Sequence, residues 1–123
     1  MKRGIAVIAF LGIVAICSAA SDPKADPIFD AMQAEAEAIE AGMAKALVDG
    51  LPADCAAVTA LMRRQHAWIG KSWNKPAPAA AFVGLGQMYV DDPRFHERYD
   101  GRQAGLAEYM AAAMASFAAR ELT

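Results

Sequence analysis

The sequence predicts an all-α fold, a small bundle of about five helices, from the spacing of its apolar residues and the character of its loops. Apolar side chains recur at spacings of three and four residues through most of the chain, which is the period of an amphipathic helix. No segment shows the alternation of apolar and polar residues that a half-buried strand requires. Proline and glycine cluster in short stretches between the periodic segments, and short loops favour antiparallel packing of neighbouring helices.

The first helix is predicted to begin at the Asp26-Pro27 pair, because aspartate caps a helix and proline suits its first turn. Gly50 is expected to end it. Between these limits the apolar residues form one seam, made of Phe29, Met32, Ala36, Ile39, Met43 and Leu47. The acidic residues Glu35, Glu37 and Glu40 lie off this seam and are predicted to form a solvated face.

Turn residues divide the rest of the chain into four further helices. Pro76 and Pro78 end the second helix, because proline cannot continue one. The fourth should begin at Asp92-Pro93, which repeats the aspartate and proline of the first. The predicted limits are about 54–73 for the second helix, 78–91 for the third, 93–100 for the fourth and 102–122 for the fifth.

The chain is organised around the corner between the third and fourth helices, from Gly84 to Phe95. Leu85, Met88 and Tyr89 are spaced at i, i+3 and i+4, so they share one helical face. Most aromatic residues beyond the N-terminal 20 lie between positions 68 and 109 and therefore flank this corner. We expect the functional site to lie here.

Composition argues against nucleic-acid binding and against catalysis. The formal charge is −2, and beyond residue 20 Arg63-Arg64 is the only adjacent basic pair, so there is no basic patch for a phosphate backbone. Cys55 and His66 stand on one predicted helix about 16 Å apart, too far to act as a nucleophile and its base. His66 and His96 alone do not complete a metal site. The sequence therefore predicts no catalytic residue, no metal ligand and no cofactor.

Residues 1–20 have the composition of a secretory signal peptide. Two basic residues precede an apolar run from Ile5 to Ile16, and Ser18-Ala19-Ala20 fits a cleavage site. The apolar run is too short to favour a membrane span. We therefore expect cleavage after Ala20 and a periplasmic or secreted domain of residues 21–123. The alternatives are lipid attachment at Cys17 and an uncleaved leader that anchors the protein in a membrane.

The corner also resembles a known family. GLGQMYVDDPRF, followed by HERYD and GLAEYM, is similar to the TipAS antibiotic-recognition domain, the ligand-binding half of MerR-type regulators that sense thiopeptides and other drugs. Gln65 to Ile69, with Trp73 after them, resemble the family's His-x-Trp helix. The resemblance runs from about Ile28 to about Ala119. It implies a globin-like array of helices with a hydrophobic cleft for a ligand.

Three departures from the family bear on mechanism. Thiopeptide-sensing members carry a cysteine that captures dehydroamino acids, and an ungapped alignment places Ala77 at that position, which predicts no covalent capture there. Phe82 stands where such members commonly have a histidine. A leader precedes the domain where the regulators have a winged-helix half, so direct regulation of transcription is not expected.

The aromatic residues could form a plain core or line a ligand cleft. The tyrosines and tryptophans each bring a polar group that needs a partner when buried, and helical glycines such as Gly84 and Gly86 suit the close approach of a backbone or a ligand. With the resemblance, the set implies non-covalent binding of an antibiotic or another amphipathic aromatic compound. The predicted ligand-binding residues are His66, Trp68, Trp73, Phe82, Leu85, Met88, Tyr89, Phe95, Tyr99 and Tyr109.

A second hypothesis is a helical interaction or structural domain that binds no small ligand. Its basis is the alanine-rich fifth helix, whose small side chains permit close approach of another helix, for example in a homodimer. The predicted partner of the first hypothesis is a hydrophobic or drug-like small molecule. Nucleic acid is expected in neither case, and contact with a membrane is expected only through the leader.

Overall fold

A computed structural model describes residues 25–123, and five α-helices make up most of this part of the chain. They are α1 (Ala25–Val48), α2 (Ala56–Trp73), α3 (Ala79–Asp91), α4 (Pro93–Arg102) and α5 (Leu106–Glu121). No strand occurs within residues 25–123, so the prediction of an all-α fold of about five helices is confirmed. The predicted leader, with its cleavage site and Cys17, lies outside the described residues.

The chain divides into two compact units within α1, one that ends at Ala34 and one from Glu35 to Thr123. In the first unit the described part is the beginning of α1, where Ile28 and Phe29 are largely exposed. In the second unit Ile39 and Met43 are fully buried. The predicted apolar seam is thus buried over only part of its length, because periodicity marks the apolar face of a helix but not how far the core extends along it.

Local side-chain and backbone chemistry explains where the helices begin and end. Asp92 accepts a hydrogen bond from the Arg94 backbone N–H at 2.9 Å, and proline fills the first turn of α4, so the predicted cap is confirmed. Gly50 follows α1 with a φ of 76°, a conformation that suits glycine, as predicted. Asn74 ends α2 in the left-handed region, with its N–H bonded to the Gly70 carbonyl.

The predicted boundary between the last two helices was wrong by a few residues. α4 continues to Arg102, and α5 begins only at Leu106. The reason is that Asp100 lies inside α4 and caps the start of α5. Its carboxylate accepts hydrogen bonds from the backbone N–H groups of Gly105 and Ala107, at 3.1 and 3.0 Å. These bonds lower the pKa of the Asp100 carboxyl, with a smaller effect from the nearby His96.

The core is built around the contact between α3 and α5. A Cβ added at Gly86 would lie 3.2 Å from the Ala111 Cα and 3.3 Å from the Met114 Sδ, so glycine lets the two helices approach closely. Ala113 and Ala118 of α5 are buried. These two small residues serve packing inside the domain, whereas Ala112, Ala115 and Ala119 of the same helix are exposed.

Interhelical ion pairs join the second unit's part of α1 to α2 and α4. Glu35 binds Arg64 of α2, and Glu37 binds Arg102 of α4. Glu40 accepts a hydrogen bond from the Arg98 Nη2 at 2.9 Å, and the residue is only 7% exposed. The interpretation of these acidic residues as a solvated face was therefore wrong for Glu40, because the α4 arginines cover it.

Candidate functional site

The corner between α3 and α4 brings three aromatic rings together. The Asp92 cap turns the chain so that α4 folds back beside the end of α3. The Tyr89 ring centroid lies 5.8 Å from that of Phe95 and 4.7 Å from that of Tyr99, and both contacts are tilted. Such separations are typical of favourable aromatic pairs. The corner predicted from the sequence is thus a packed aromatic cluster.

A hydrogen bond from α2 fixes the buried part of this cluster, the rings of Tyr89 and Tyr99, which we call its floor. Tyr89 and Tyr99 are buried, and the Gln65 Nε2 of α2 donates to the Tyr89 hydroxyl at 3.2 Å. Burial raises the pKa of Tyr89. Burial, with the neighbouring Tyr89 and Glu40, also raises the pKa of Tyr99 far above its ordinary range. Both phenols therefore stay neutral, and the floor presents uncharged aromatic surface.

On one side of α3 an apolar surface leads from this cluster towards solvent. We call it the α3 shoulder and define it as Ala81, Gly84, Leu85 and Met88, which are neighbours at spacings of three and four residues. Ala81 and Leu85 are half-buried, whereas Gly84 and Met88 are exposed. Nothing lies within 4 Å of where a Cβ of Gly84 would stand. The shoulder carries no charged side chain, and Leu85 precedes Tyr89 by one turn.

The tryptophans lie on α2, and both are at least partly accessible. Trp68 is half-buried against the core and follows Gln65 by three residues, so the two share one side of α2. Trp73 is the last residue of α2 and is 42% exposed. Phe95 at the start of α4 is also half-buried. These aromatic side chains combine contact with the core and access to solvent.

His66 and Phe82 belong to a second cluster, deeper in the bundle. The His66 Nε2 is 2.8 Å from the Ala77 carbonyl oxygen, to which it donates. Its ring meets Phe82 edge-on at 5.2 Å between centroids and lies 5.9 Å from Phe117. Phe82 is fully buried, so it supports the cluster from inside rather than presenting a surface. His66 thus has both a polar partner and aromatic neighbours.

Tyr109 makes its hydrogen bond with a residue that belongs to neither cluster. Its hydroxyl donates to the Leu51 carbonyl at 2.7 Å, which ties α5 to the loop between α1 and α2. The predicted ligand-binding residues therefore fall into three groups. Leu85, Met88, Tyr89, Phe95 and Tyr99 belong to the shoulder and the corner, His66 and Phe82 to the inner cluster, and Trp68, Trp73 and Tyr109 lie elsewhere on α2 and α5.

Glu40 and Arg98 are site-supporting residues that sequence reasoning missed. Arg98 bonds Glu40 and also places its guanidinium 5.8 Å from the centroid of the Tyr99 ring. It therefore links α1 to the aromatic cluster. The only signal in the sequence was three acidic residues on one stretch of α1 and three arginines spaced by four on α4, and charge pattern alone does not specify a partner 58 residues away.

Two open clefts flank these clusters. One, of about 680 Å³, lies along the outer side of the α3–α4 corner between Asp91, Pro93, His96 and Glu97. The other, of about 420 Å³, lies at the end of α2 and is lined by His66, Gly70, Lys71, Asn74 and Pro76. Within residues 25–123 no three His, Cys, Asp or Glu side chains are grouped to hold a metal ion.

Comparison with known proteins identifies the family. The TipAS antibiotic-recognition domain matches residues 24–117. The chain belongs to this family. The HTH-type transcriptional regulator SkgA of Caulobacter vibrioides, in strains NA1000 and ATCC 19089, is 52% identical over 86 residues. The match covers 70% of this chain but 34% of SkgA, so the chain spans about a third of the length of these relatives.

A solved structure supports the same assignment. Streptomyces lividans TipAS in complex with nosiheptide, a thiopeptide antibiotic, matches with a TM-score of 0.67 and 28% sequence identity. The match covers 75% of this chain and 64% of that one. The five helices of this domain therefore have the TipAS fold, and the family expected from the corner motif is confirmed.

The predicted periplasmic or secreted location, with its membrane-anchored alternative, is wrong. SkgA is a transcriptional regulator, and such proteins act at DNA rather than outside the cell. A basic pair before a short apolar run is a compositional signal only, and it is weaker than 52% identity to such a regulator. Within residues 25–123, no helix has the length and apolar character needed to cross a membrane.

Proposed function

We propose that this domain binds an antibiotic of the amphipathic, aromatic-rich type through the α3 shoulder and the corner cluster, non-covalently and without catalysis. The observation that carries the proposal is the structural match to TipAS in complex with nosiheptide. The family model covers residues 24–117, which include the α3–α4 corner.

The chemistry of the surface supports this ligand class. Leu85, Met88, Trp68 and Phe95 present accessible apolar or aromatic surface, and the tyrosines behind them are neutral. Burial of aromatic rings against such surface is favourable without any charged contact. The bond from Gln65 to Tyr89 and the ion pair between Glu40 and Arg98 hold the floor in place before a ligand arrives, which reduces the entropy lost on binding.

The reactive side chains of the described residues argue for binding rather than chemistry. His66 uses its Nε2 in a structural hydrogen bond to Ala77. Cys55 stands at the N-cap of α2, about 27 Å along the helix axis from Trp73. Ala77, where the family resemblance places a capturing cysteine, is buried and has no nucleophile. The proposal is therefore reversible sequestration of the ligand.

Tryptophan fluorescence tests this proposal directly. Titration with nosiheptide and a panel of other aromatic antibiotics should give a saturable change in emission from Trp68 and Trp73. Met88→Ala should weaken binding several-fold, since it removes accessible apolar surface from the shoulder. Val83→Ala is the matched control, because Val83 is on the same helix and equally exposed, 40% against 37%, but off the shoulder. No saturable response to any compound, or equal losses in both variants, would contradict the proposal.

A further inference from the structure

Two glycines of α3, only two positions apart, have opposite surroundings. A glycine inside a helix destabilises it relative to alanine, so each needs a reason. Successive helical residues are rotated by about 100°, which places Gly84 and Gly86 on nearly opposite sides of α3. A substitution at one of these positions therefore adds a side chain to one side of α3 and leaves the other side unchanged.

Gly86 has a reason inside the domain, and Gly84 has none among the described residues. A side chain at position 86 would press on the backbone of Ala111 and on Met114. At position 84 a Cβ would meet nothing within 4 Å. Its backbone conformation does not require glycine either, because the described glycines with positive φ are Gly50 and Gly105. Neither packing nor backbone geometry within residues 25–123 explains Gly84, and the same is true of Gly101, so what distinguishes Gly84 is its place on the shoulder.

The position of Gly84 on the shoulder supplies an explanation. Ala81 lies three residues before it and Met88 four residues after it, so a side chain at position 84 would stand between them. Without that side chain the helix backbone is open to solvent, with the exposed Met88 side chain one turn away and the half-buried Leu85 next to it in sequence. Leu85 continues the apolar surface from this opening round the helix towards Tyr89, and the polar Gln87 borders its other side. No atom lies within 4 Å of where a Cβ would stand, which leaves room for the face of a flat ring.

We infer that Gly84 is a specificity-determining residue of the antibiotic site, and that its missing side chain lets a planar aromatic or heteroaromatic ring of the ligand lie against the α3 backbone. This inference rests on the proposed function. It adds a residue that contacts ligand through its backbone and selects for flat ring systems over bulky aliphatic groups. Larger residues at position 84 block this approach while leaving the fold intact.

The test compares Gly84→Ala and Gly84→Leu with wild type, using nosiheptide as the probe. Both variants should be more thermostable, with Tm higher by about 4–8 °C, because the helix loses an unfavourable glycine and the added Cβ meets no atom within 4 Å. Affinity, measured by tryptophan fluorescence, should fall about threefold for Gly84→Ala and about tenfold or more for Gly84→Leu. Stability and binding thus change in opposite directions.

Gly101→Ala is the matched control. Gly101 is also an exposed helical glycine with nothing within 4 Å of an added Cβ, but it lies on α4 and lines the cleft on the outer side of the corner rather than the shoulder. This variant should show the same gain in Tm and unchanged affinity. Equal affinity of wild type and Gly84→Leu would overturn the inference while leaving the proposed function in place. No binding by wild type would refute the proposed function, and this inference with it.

Discussion

The two faces of α3 show how one helix serves both the stability of the domain and its contact with a ligand. The closed face, Phe82 and Gly86, is buried against the rest of the bundle, and even one added carbon at position 86 would press on α5. The open face, the α3 shoulder, keeps apolar side chains accessible and has a gap at Gly84. Stability should therefore depend on the closed face and binding on the open one.

The largest effect should come from filling the closed face. Gly86→Leu should lower the free energy of unfolding by about 3 kcal/mol or more, because the side chain must displace the Ala111 backbone and Met114. The loss outweighs the gain of about 1 kcal/mol from removing a helical glycine. Urea unfolding followed by circular dichroism measures it. Gly84→Leu makes the same chemical change on the open face. An equal loss of unfolding free energy in both variants would show that stability does not depend on the closed face in particular.

These two glycines also show what the sequence could not predict. From the sequence alone, Gly84 and Gly86 are equivalent helical glycines, and the close approach of a backbone or a ligand explains either one. Which one faces α5 depends on how two distant helices pack. The same holds for Phe82 and Leu85, since both belong to the apolar surface of α3 but only Phe82 is fully buried. Periodicity predicts an apolar face; it does not say which part of that face a neighbour covers.

The open face depends on ion pairs that hold α4 in place, and Glu40→Gln tests this dependence. Glu40 is buried between Arg98 and Arg102, at 2.9 and 3.7 Å. Loss of its charge should lower the free energy of unfolding by about 1–2 kcal/mol, a value reduced because the Arg98 side chain is more than half exposed. Antibiotic affinity should also fall, since α4 carries Phe95 and Tyr99. Urea unfolding and fluorescence titration give the two values.

Glu37→Gln provides the control for this prediction. Glu37 also pairs with Arg102, but its side chain is 63% exposed, so the change should be about 0.5 kcal/mol or less. In 0.5 M NaCl the effect of Glu37→Gln should vanish, whereas that of Glu40→Gln should largely persist, because a buried pair is screened less. Equal salt sensitivity of the two variants would show that Glu40 is not a buried support.

Local and distant interactions explain which parts of this structure could be predicted. The Asp92 cap and the Gly50 helix end depend on neighbours within a few residues, and both were predicted correctly. The pairing of Glu40 with Arg98 joins residues 58 positions apart, and no local pattern reveals it. The aromatic corner lies between these cases. Its residues are close in sequence, but the bond from Gln65 comes from another helix.

A smaller effect is expected at the junction of α4 and α5, where Asp100 caps α5. The bonds from Gly105 and Ala107 lower the pKa of its carboxyl below the ordinary value of 3.8. A lowered folded-state pKa gives a contribution to stability that is present above pH 3.8 and is lost as the pH falls through the lower, folded-state value. Wild type should therefore be slightly more stable than Asp100→Asn at pH 7, and the two should converge in strong acid.

Urea midpoints measured from pH 7 to pH 2 check this expectation. The difference in midpoint between wild type and Asp100→Asn should not shrink until the pH falls below about 4. A difference that does not change with pH would mean that the charge of Asp100 contributes nothing beyond its hydrogen bonds. Asp100 is not part of the shoulder and lines the cleft on the outer side of the corner, so antibiotic affinity at pH 7 should be unchanged in this variant.

The smallest effect, no change in mass at all, is expected when the protein meets an electrophilic antibiotic. Cys55 is half-buried at the N-cap of α2 and about 27 Å along that helix from Trp73, so it cannot take the place of the capturing cysteine that the family resemblance puts at Ala77, shortly after Trp73. Incubation with a dehydroalanine-containing thiopeptide, followed by intact-mass spectrometry, should show only the unmodified protein. Met88→Cys is the comparison, because it places an accessible thiol on the shoulder itself. Its adduct should form in proportion to occupancy, since a bound ligand holds the electrophile near that thiol. A stoichiometric adduct on Cys55 of the wild type would mean that the ligand binds elsewhere, and the division between a closed and an open face of α3 would lose its functional meaning.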